Sequence, residues 1–237
     1  DLLAGLADPS RWLSYSGDYT GKRHSPLTQI TPSNLGQLVP QWTFQTGYLG
    51  QTGPIGRRFE ATPILVDGVL YVTGEMDHAW AIDARTGKEL WHHTRKLPGP
   101  FKGDPGTWNA KEDTPVAVRS CCGPVNRGFA IYKDRLYKVT LDMHLVALEM
   151  KTGKTIFDVE VDSWRKAYAG TTAPLVVKDK IIVGPAGAEF ATRGFLSAHD
   201  PETGKELWRF WTVPLPGEPG GETWPSRAAA ERGGATT

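Results

Sequence analysis

The 237 residues carry 27 lysines and arginines against 26 aspartates and glutamates, a formal charge of +1 that offers no basic face to a nucleic-acid backbone. Hydrophobic residues make up 39% and aromatic residues 10%, ample for a packed core and too much for a globally disordered chain. No apolar run reaches the roughly 18 residues that cross a bilayer, and the opening Asp1-Leu2-Leu3-Ala4-Gly5-Leu6 lacks the basic and long apolar regions of a secretory leader. The expectation is a soluble chain, processed or clipped at its front, in which 27 glycines and 18 prolines punctuate many short strands.

In chain order, Gln41-Trp42-Thr43-Phe44-Gln45-Thr46 reads as the last strand of a unit whose other strands are not all present, with Trp12 to Tyr19 as one neighbour. A complete unit follows. Ala61 to Val66 and Val69 to Val72 are two strands across a polar turn, and Ala81-Ile82-Asp83-Ala84-Arg85-Thr86-Gly87-Lys88-Glu89-Leu90-Trp91 is a strand end, a tight turn and a second strand. Lys96 to Ser120 is polar, rich in Pro and Gly, and without periodicity, so it reads as a loop. The unit then recurs twice. Gly128 to Tyr132, Leu136 to Val139 and Ala147 to Phe157 form one copy; Ala173 to Val177, Ile181 to Gly184 and Ala198 to Trp208 form the other.

Four short antiparallel strands per repeat predict the blade of a β-propeller, an all-β fold of four-stranded antiparallel blades. Three full blades and part of a fourth fall short of closure, which takes about four to eight. The stretch Val213 to Thr237 shows no strand signal and resembles an inter-blade loop. The expectation is therefore the front portion of a single propeller domain over 1–237, with blades near 41–95, 121–165 and 171–213, and an exposed strand edge.

The two cysteines of the chain are adjacent, Cys121 and Cys122, so an intramolecular disulfide has to join direct neighbours. Such a bond is strained, because adjacent Cα atoms sit about 3.8 Å apart, below the range ordinary disulfides prefer. Two free or intermolecularly paired thiols on a loop are the alternative.

Together these segments resemble the quinoprotein alcohol dehydrogenases, the methanol and ethanol dehydrogenase family that uses pyrroloquinoline quinone. The resemblance rests on four features: Trp12 to Tyr19 leading to Arg23-His24-Ser25-Pro26-Leu27; the Thr-Gly-Lys-Glu-Leu-Trp endings, with Phe157 departing in the middle copy; Cys121-Cys122 with Asn126-Arg127-Gly128; and Gly187-Ala188-Glu189-Phe190 with Arg193-Gly194. It implies an eight-bladed propeller whose docking tryptophans pack on the next blade, and a planar quinone held between a vicinal disulfide and a tryptophan.

By that resemblance Cys121 and Cys122 form one wall of the cofactor pocket, Arg127 stands at the reactive carbonyl, and Glu60 is an acidic cofactor contact. Arg127 otherwise reads as a surface ion pair and Glu60 as a solvent-exposed residue before a strand. Gly187 and Ala188 bring backbone close to the cofactor, and Thr171 supplies a hydroxyl, although the doublet Thr171-Thr172 leaves the choice open by one position. Glu189 is the implied ligand of a Ca²⁺ or lanthanide ion, and its Gly, Ala and Phe neighbours suit a residue aimed inward. The implied substrate is a small primary alcohol, the electron acceptor a cytochrome c or a quinone, and the compartment the periplasm. No residue is assigned as the general base; the resemblance places that aspartate, a further metal ligand and the flooring tryptophan beyond Thr237. His199, in the third repeat turn, reads as solvated. A non-enzymatic propeller scaffold and a quinoprotein sugar dehydrogenase are the competing readings. The first leaves the paired cysteines, Arg127 and Glu189 without a role.

Overall fold

A computed structural model describes residues 2–46, 59–98 and 123–234. Short runs of β-branched, aliphatic and aromatic residues, each closed by a polar or glycine turn, form twelve strands among these residues. The first sheet contains β1 (Ile64–Val66), β2 (Val69–Thr73), β3 (Ala79–Asp83) and β4 (Glu89–His93). The second contains β5 (Ala130–Tyr132), β6 (Arg135–Val139), β7 (His144–Glu149) and β8 (Thr155–Glu160). The third contains β9 (Leu175–Val177), β10 (Lys180–Val183), β11 (Phe195–His199) and β12 (Glu206–Trp211). Each sheet is an antiparallel meander in which strands follow one another in chain order.

The third and fourth strands of every sheet share a bulge at the same place, between Ala81 and Ile82, Ala147 and Leu148, and Ala198 and His199. After it comes the Thr-Gly-Lys turn. Asp83 Oδ1 accepts from the amides of Arg85 and Thr86 and from the Thr86 hydroxyl, and Asp200 Oδ1 does the same with Glu202 and Thr203. Glu149 is one methylene longer, and its carboxylate accepts from the Thr152 hydroxyl. Gly87, Gly153 and Gly204 take φ of +71°, +69° and +74°, a region where a Cβ is strained.

Each of these glycines also receives an aromatic from earlier in the chain, Gly153 and Gly204 from the sheet before and Gly87 from the segment around Trp42. A Cβ on Gly87 would stand 2.6 Å from the Trp42 ring, one on Gly153 2.7 Å from Trp91, and one on Gly204 2.7 Å from Phe157. Of the repeat-end aromatics Trp91 and Phe157 are thus docked, Trp42 docks in the same way, and Trp208 is exposed. Between the first and second sheets Ile64, Tyr71, Ala81 and Trp91 pack on Ile131, Leu136, Val146 and Leu148. Between the second and third, Tyr137, Val139, Leu145 and Phe157 pack on Val176, Ile181, Val183 and Phe195. Burial on both faces makes the middle strands almost uniformly apolar.

Two segments differ from expectation. Residues 41–46 enter no ladder among the described residues, and Trp12 pairs instead with Leu65 of β1, each amide bonding the other carbonyl at 2.9 Å. The free edge of β1 offers Trp12 unpaired backbone groups that the Gln41 to Thr46 segment does not replace. Farther on, the Tyr19 hydroxyl donates to the Val176 carbonyl of β9, so the opening segment runs across the first strands of the sheets. The stretch after Val213 forms no strand, as expected, yet it holds a 3-10 turn at Gly221–Thr223 and a helix α1 at Arg227–Glu231 capped by the Ser226 hydroxyl. It returns at Gly234 to bridge Arg193.

Candidate functional site

In a four-stranded meander the start of the first strand and the turn between the second and third strands lie at the same end. Glu60 precedes β1, Arg127 precedes β5 and Thr171 precedes β9, so each approaches that end of its own sheet. The backbone joins them: Thr62 N–H donates to the Arg127 carbonyl and Arg127 N–H to the Thr171 carbonyl, both at 3.0 Å. The side chains converge as well. Arg127 Nη2 pairs with Glu60 Oε2 at 2.8 Å, and Nη1 donates to Thr171 Oγ1 at 2.9 Å and to the Thr171 carbonyl at 3.3 Å. A guanidinium fixed between a carboxylate and a hydroxyl from different sheets is a preorganised cation. It remains 27% exposed, which keeps part of it open to a ligand.

The threonine doublet separates cleanly. Thr171 is buried and faces Arg127, whereas the Thr172 hydroxyl turns toward the Gly184 carbonyl at 3.4 Å. Asn126, also buried, anchors the arginine from behind: its Nδ2 donates to the Val139 carbonyl at 2.7 Å, and its Oδ1 accepts the Gly128 N–H at 3.1 Å.

Gly187, Ala188 and Glu189 lie in the turn between β10 and β11, at the same end. Gly187 has φ of +130°, and a Cβ there would stand 2.6 Å from the Ala167 carbonyl oxygen, so backbone packs on backbone at this point. It precedes a 3-10 turn, Ala188–Phe190, on which Glu189 is carried. Glu189 is exposed rather than enclosed, because its small neighbours permit close backbone approach without covering its side chain. Among the described residues no group of three or more His, Cys, Asp or Glu side chains is placed to hold a metal ion. Cys121 and Cys122, and any bond between them, lie outside the described residues.

A buried ionic cluster that the sequence did not announce occupies the same end, between the first two sheets. Asp77, in the β2–β3 turn, and Lys138, on β6, are both fully buried. Lys138 Nζ donates to the Asp77 carbonyl, and Asp77 Oδ2 accepts the Leu141 N–H at 3.0 Å. Beside them Arg95 pairs with Asp142 and Asp158, each at 2.7 Å, and His144 Nδ1 meets Asp158 at 2.6 Å. Burial, only partly offset by Lys138, pushes the Asp77 carboxyl up to about 6. Burial opposes the charge on Asp158 too, but bonds from His144 and Arg95 prevail and hold its carboxyl below the usual range. Lys138 sits between Tyr137 and Val139 and reads as the outward residue of an alternating strand. The signal that would have found it is that a sheet flanked by sheets has no outward face.

His199 is likewise buried, not solvated as expected. Its Nδ1 donates to the Gly204 carbonyl at 2.9 Å and its Nε2 pairs with the Ser197 hydroxyl at 2.9 Å, on the same face of β11 as Phe195, which packs in the core between the second and third sheets.

Residues 12–237 match the family model described as PQQ: Glucose/ethanol/alcohol dehydrogenase, beta-propeller domain. The chain belongs to this quinoprotein family. Quinohemoprotein alcohol dehydrogenase ADH-IIG of Pseudomonas putida is 38% identical over 246 residues, covering 100% of this chain and 31% of that protein. The dehydrogenase subunit of alcohol dehydrogenase (quinone) from Gluconobacter oxydans is 38% identical over 229 residues, covering 94% of this chain and 27% of its own length. Among solved structures, the quinohemoprotein ADHIIG of Pseudomonas putida superposes with a TM-score of 0.81 at 37% identity, over 98% of this chain and 32% of that one. A europium-containing methanol dehydrogenase gives 0.75 at 31% identity, over 92% and 34%. The quinoprotein chain therefore spans about a third of the length of the relatives it matches. Its sheets are blades of the family's propeller. No helix among the described residues is long and apolar enough to cross a membrane.

Proposed function

We propose that this chain belongs to a pyrroloquinoline-quinone-dependent alcohol dehydrogenase, oxidises small primary alcohols to aldehydes as part of the whole protein, and contributes one side of the quinone pocket. The observation that carries the reading is the clasp of Arg127 by Glu60 and Thr171, drawn from three inter-blade loops at one end of the sheets. A quinone bearing carbonyl and carboxylate oxygens requires fixed cationic and hydrogen-bond donors, and this donor set meets that requirement.

When bound, the quinone supplies the two-electron acceptor for the alcohol carbon, and a Ca²⁺ or lanthanide ion supplies Lewis acidity. Within this chain Arg127 offers its charge to a cofactor oxygen, and Glu60 and Thr171 keep the guanidinium from swinging away. Gly187 and Ala188 would present backbone to the cofactor and Glu189 would be one metal ligand, and by the family resemblance Cys121 and Cys122, which lie outside the described residues, would wall its face. A Ca²⁺ ion takes about six to eight oxygen ligands, so one carboxylate leaves most of that shell to the cofactor and to other parts of the protein. The whole protein would use a cytochrome c or a quinone as its electron acceptor and would work in the periplasm.

The test is reconstitution of the full-length protein with pyrroloquinoline quinone and either Ca²⁺ or La³⁺, assayed with ethanol, 1-butanol and glucose and a dye acceptor. Alcohol turnover that falls by about a hundredfold or more in Arg127→Ala supports the reading. Turnover of glucose but not alcohol, or an Arg127→Ala protein as active as wild type, overturns it.

A further inference from the structure

The loop that runs from the cysteine pair to Arg127 is held by the β2–β3 turn of the first sheet. Met76 N–H donates to the Pro124 carbonyl at 2.9 Å, and the Thr73 hydroxyl donates to the Asn126 carbonyl at 3.2 Å. That turn has an uncommon backbone: Met76 and Asp77 stand consecutively at φ of 54° and 63°. Left-handed conformations of non-glycine residues are unfavourable, and they persist where surrounding contacts over-determine them. Here the contacts come from the second sheet, through Lys138 Nζ on the Asp77 carbonyl and Leu141 N–H on its carboxylate. The other carboxylate oxygen, Asp77 Oδ1, is buried without a hydrogen-bond partner among the described residues. An orphaned buried oxygen costs stability. Asp77 is thus poorly explained as an adhesive between sheets, a task an apolar residue would do better.

We propose that Asp77 is a positioning residue for Arg127: it locks the β2–β3 turn in the left-handed form that aims Met76 N–H and the Thr73 hydroxyl at the Pro124 to Asn126 segment, and so sets where the guanidinium stands. Asn126 completes the linkage by tying the same segment to the carbonyl of Val139, the residue after Lys138. The charged groups that act on Asp77 are Lys138 on β6, Asp142 in the β6–β7 turn and Arg95 after β4. This inference rests on the quinone reading of the Arg127 site.

The test is a titration of the full-length apoprotein with pyrroloquinoline quinone in the presence of Ca²⁺, following quenching of tryptophan emission, alongside thermal unfolding. Asp77→Ala is expected to weaken quinone binding about tenfold, and Asp77→Asn, which keeps an oxygen for Leu141 N–H, to stay within about threefold of wild type. Val146→Ala, a cavity in the same inter-sheet core, is expected to lower the melting temperature while binding quinone within about twofold of wild type. Thr73→Val, which removes one turn-to-loop bond at constant shape, is expected to weaken binding about threefold and carries the test by itself where Asp77→Ala does not fold. Quinone binding unchanged in Asp77→Ala or in Thr73→Val overturns the proposal, as does equal weakening by Val146→Ala. A wild-type protein that binds no quinone overturns the cofactor reading, and this proposal with it.

Discussion

The two inter-sheet junctions perform one docking operation with different chemistry. Between the first and second sheets Trp91 lies on Gly153 and its indole N–H donates to the Met150 carbonyl at 2.8 Å. Trp42 repeats this on the first sheet, with Gly87 beneath and the Ala84 carbonyl accepting at 3.1 Å. Between the second and third sheets Phe157 lies on Gly204 but has no N–H to give. The carbonyl at the equivalent turn position, Pro201, is instead satisfied by the Tyr137 hydroxyl at 2.8 Å and by Arg135 Nη1 at 3.1 Å. The junction conserves the ring surface and the satisfied carbonyl, and the donor is free to come from elsewhere. Glycine, by contrast, is common to all three turns, because it answers both to positive φ and to the close ring.

The sharpest break is at that glycine. Gly153→Val places a branched side chain at φ of +69° against the Trp91 ring, and is expected to destabilise the full-length protein by about 4 kcal/mol in denaturant unfolding. A second difference is ionic: the first junction contains Asp77, and the second has the Arg209 and Asp162 pair at 2.6 Å. The Asp77 carboxyl, raised from 3.8 to about 6, binds its proton more tightly in the folded state. Its contribution to stability is therefore full below pH 3.8 and lost as pH rises through 6, a change of about 3 kcal/mol. Comparing denaturant midpoints of wild type and Asp77→Asn at pH 4.5 and 7.5 isolates it: the wild type is expected to gain more than the variant on acidification. Equal gains would place the ionisation elsewhere.

Smaller effects test the donor exchange. Trp91→Phe removes the indole donor to Met150 and is expected to cost about 2 kcal/mol, whereas Tyr137→Phe leaves Arg135 on Pro201 and is expected to cost about 1. The order reverses if the carbonyl at the second junction depends on tyrosine alone. The smallest effect is a gain. Glu149→Asp restores the carboxylate reach seen at Asp83 and Asp200, and is expected to add about 0.5 kcal/mol, read as a small rise in melting temperature.

The sheets were legible because their cause is local. Ile64 to Val66, Val69 to Thr73 and their repeats combine β-forming residues with turns whose Asp, Thr and Gly do the same work each time. Trp12 was harder to place: nothing within Trp12 to Tyr19 distinguishes the edge of β1 from the segment around Trp42, and only the unpaired groups of Leu65 decide it. Within the site, Arg127 and Thr171 were singled out through a family resemblance, and only the structure shows that the Thr171 hydroxyl meets the guanidinium while that of Thr172 turns toward Gly184. Glu189 was expected to point inward and lies exposed. Lys138 was not singled out, and His199, placed in a repeat turn, was expected to be solvated; both are buried by partners that neither strand alternation nor turn position reports, Asp77 of the first sheet for Lys138 and Ser197 and Gly204 for His199.

By itself the sequence determined the four-stranded repeat, the docking aromatics and the positive-φ glycines, because turn chemistry and side-chain period act over a few residues. Only the tertiary structure decided which groups meet. Glu60, Arg127 and Thr171 belong to separate repeats, and Asp77 and Lys138 to neighbouring sheets, so their contacts depend on how sheets stack. That stacking closes a distance along the chain which no local interaction spans, and it fixes the guanidinium, the buried carboxyl and the turn between them at one end of the sheets.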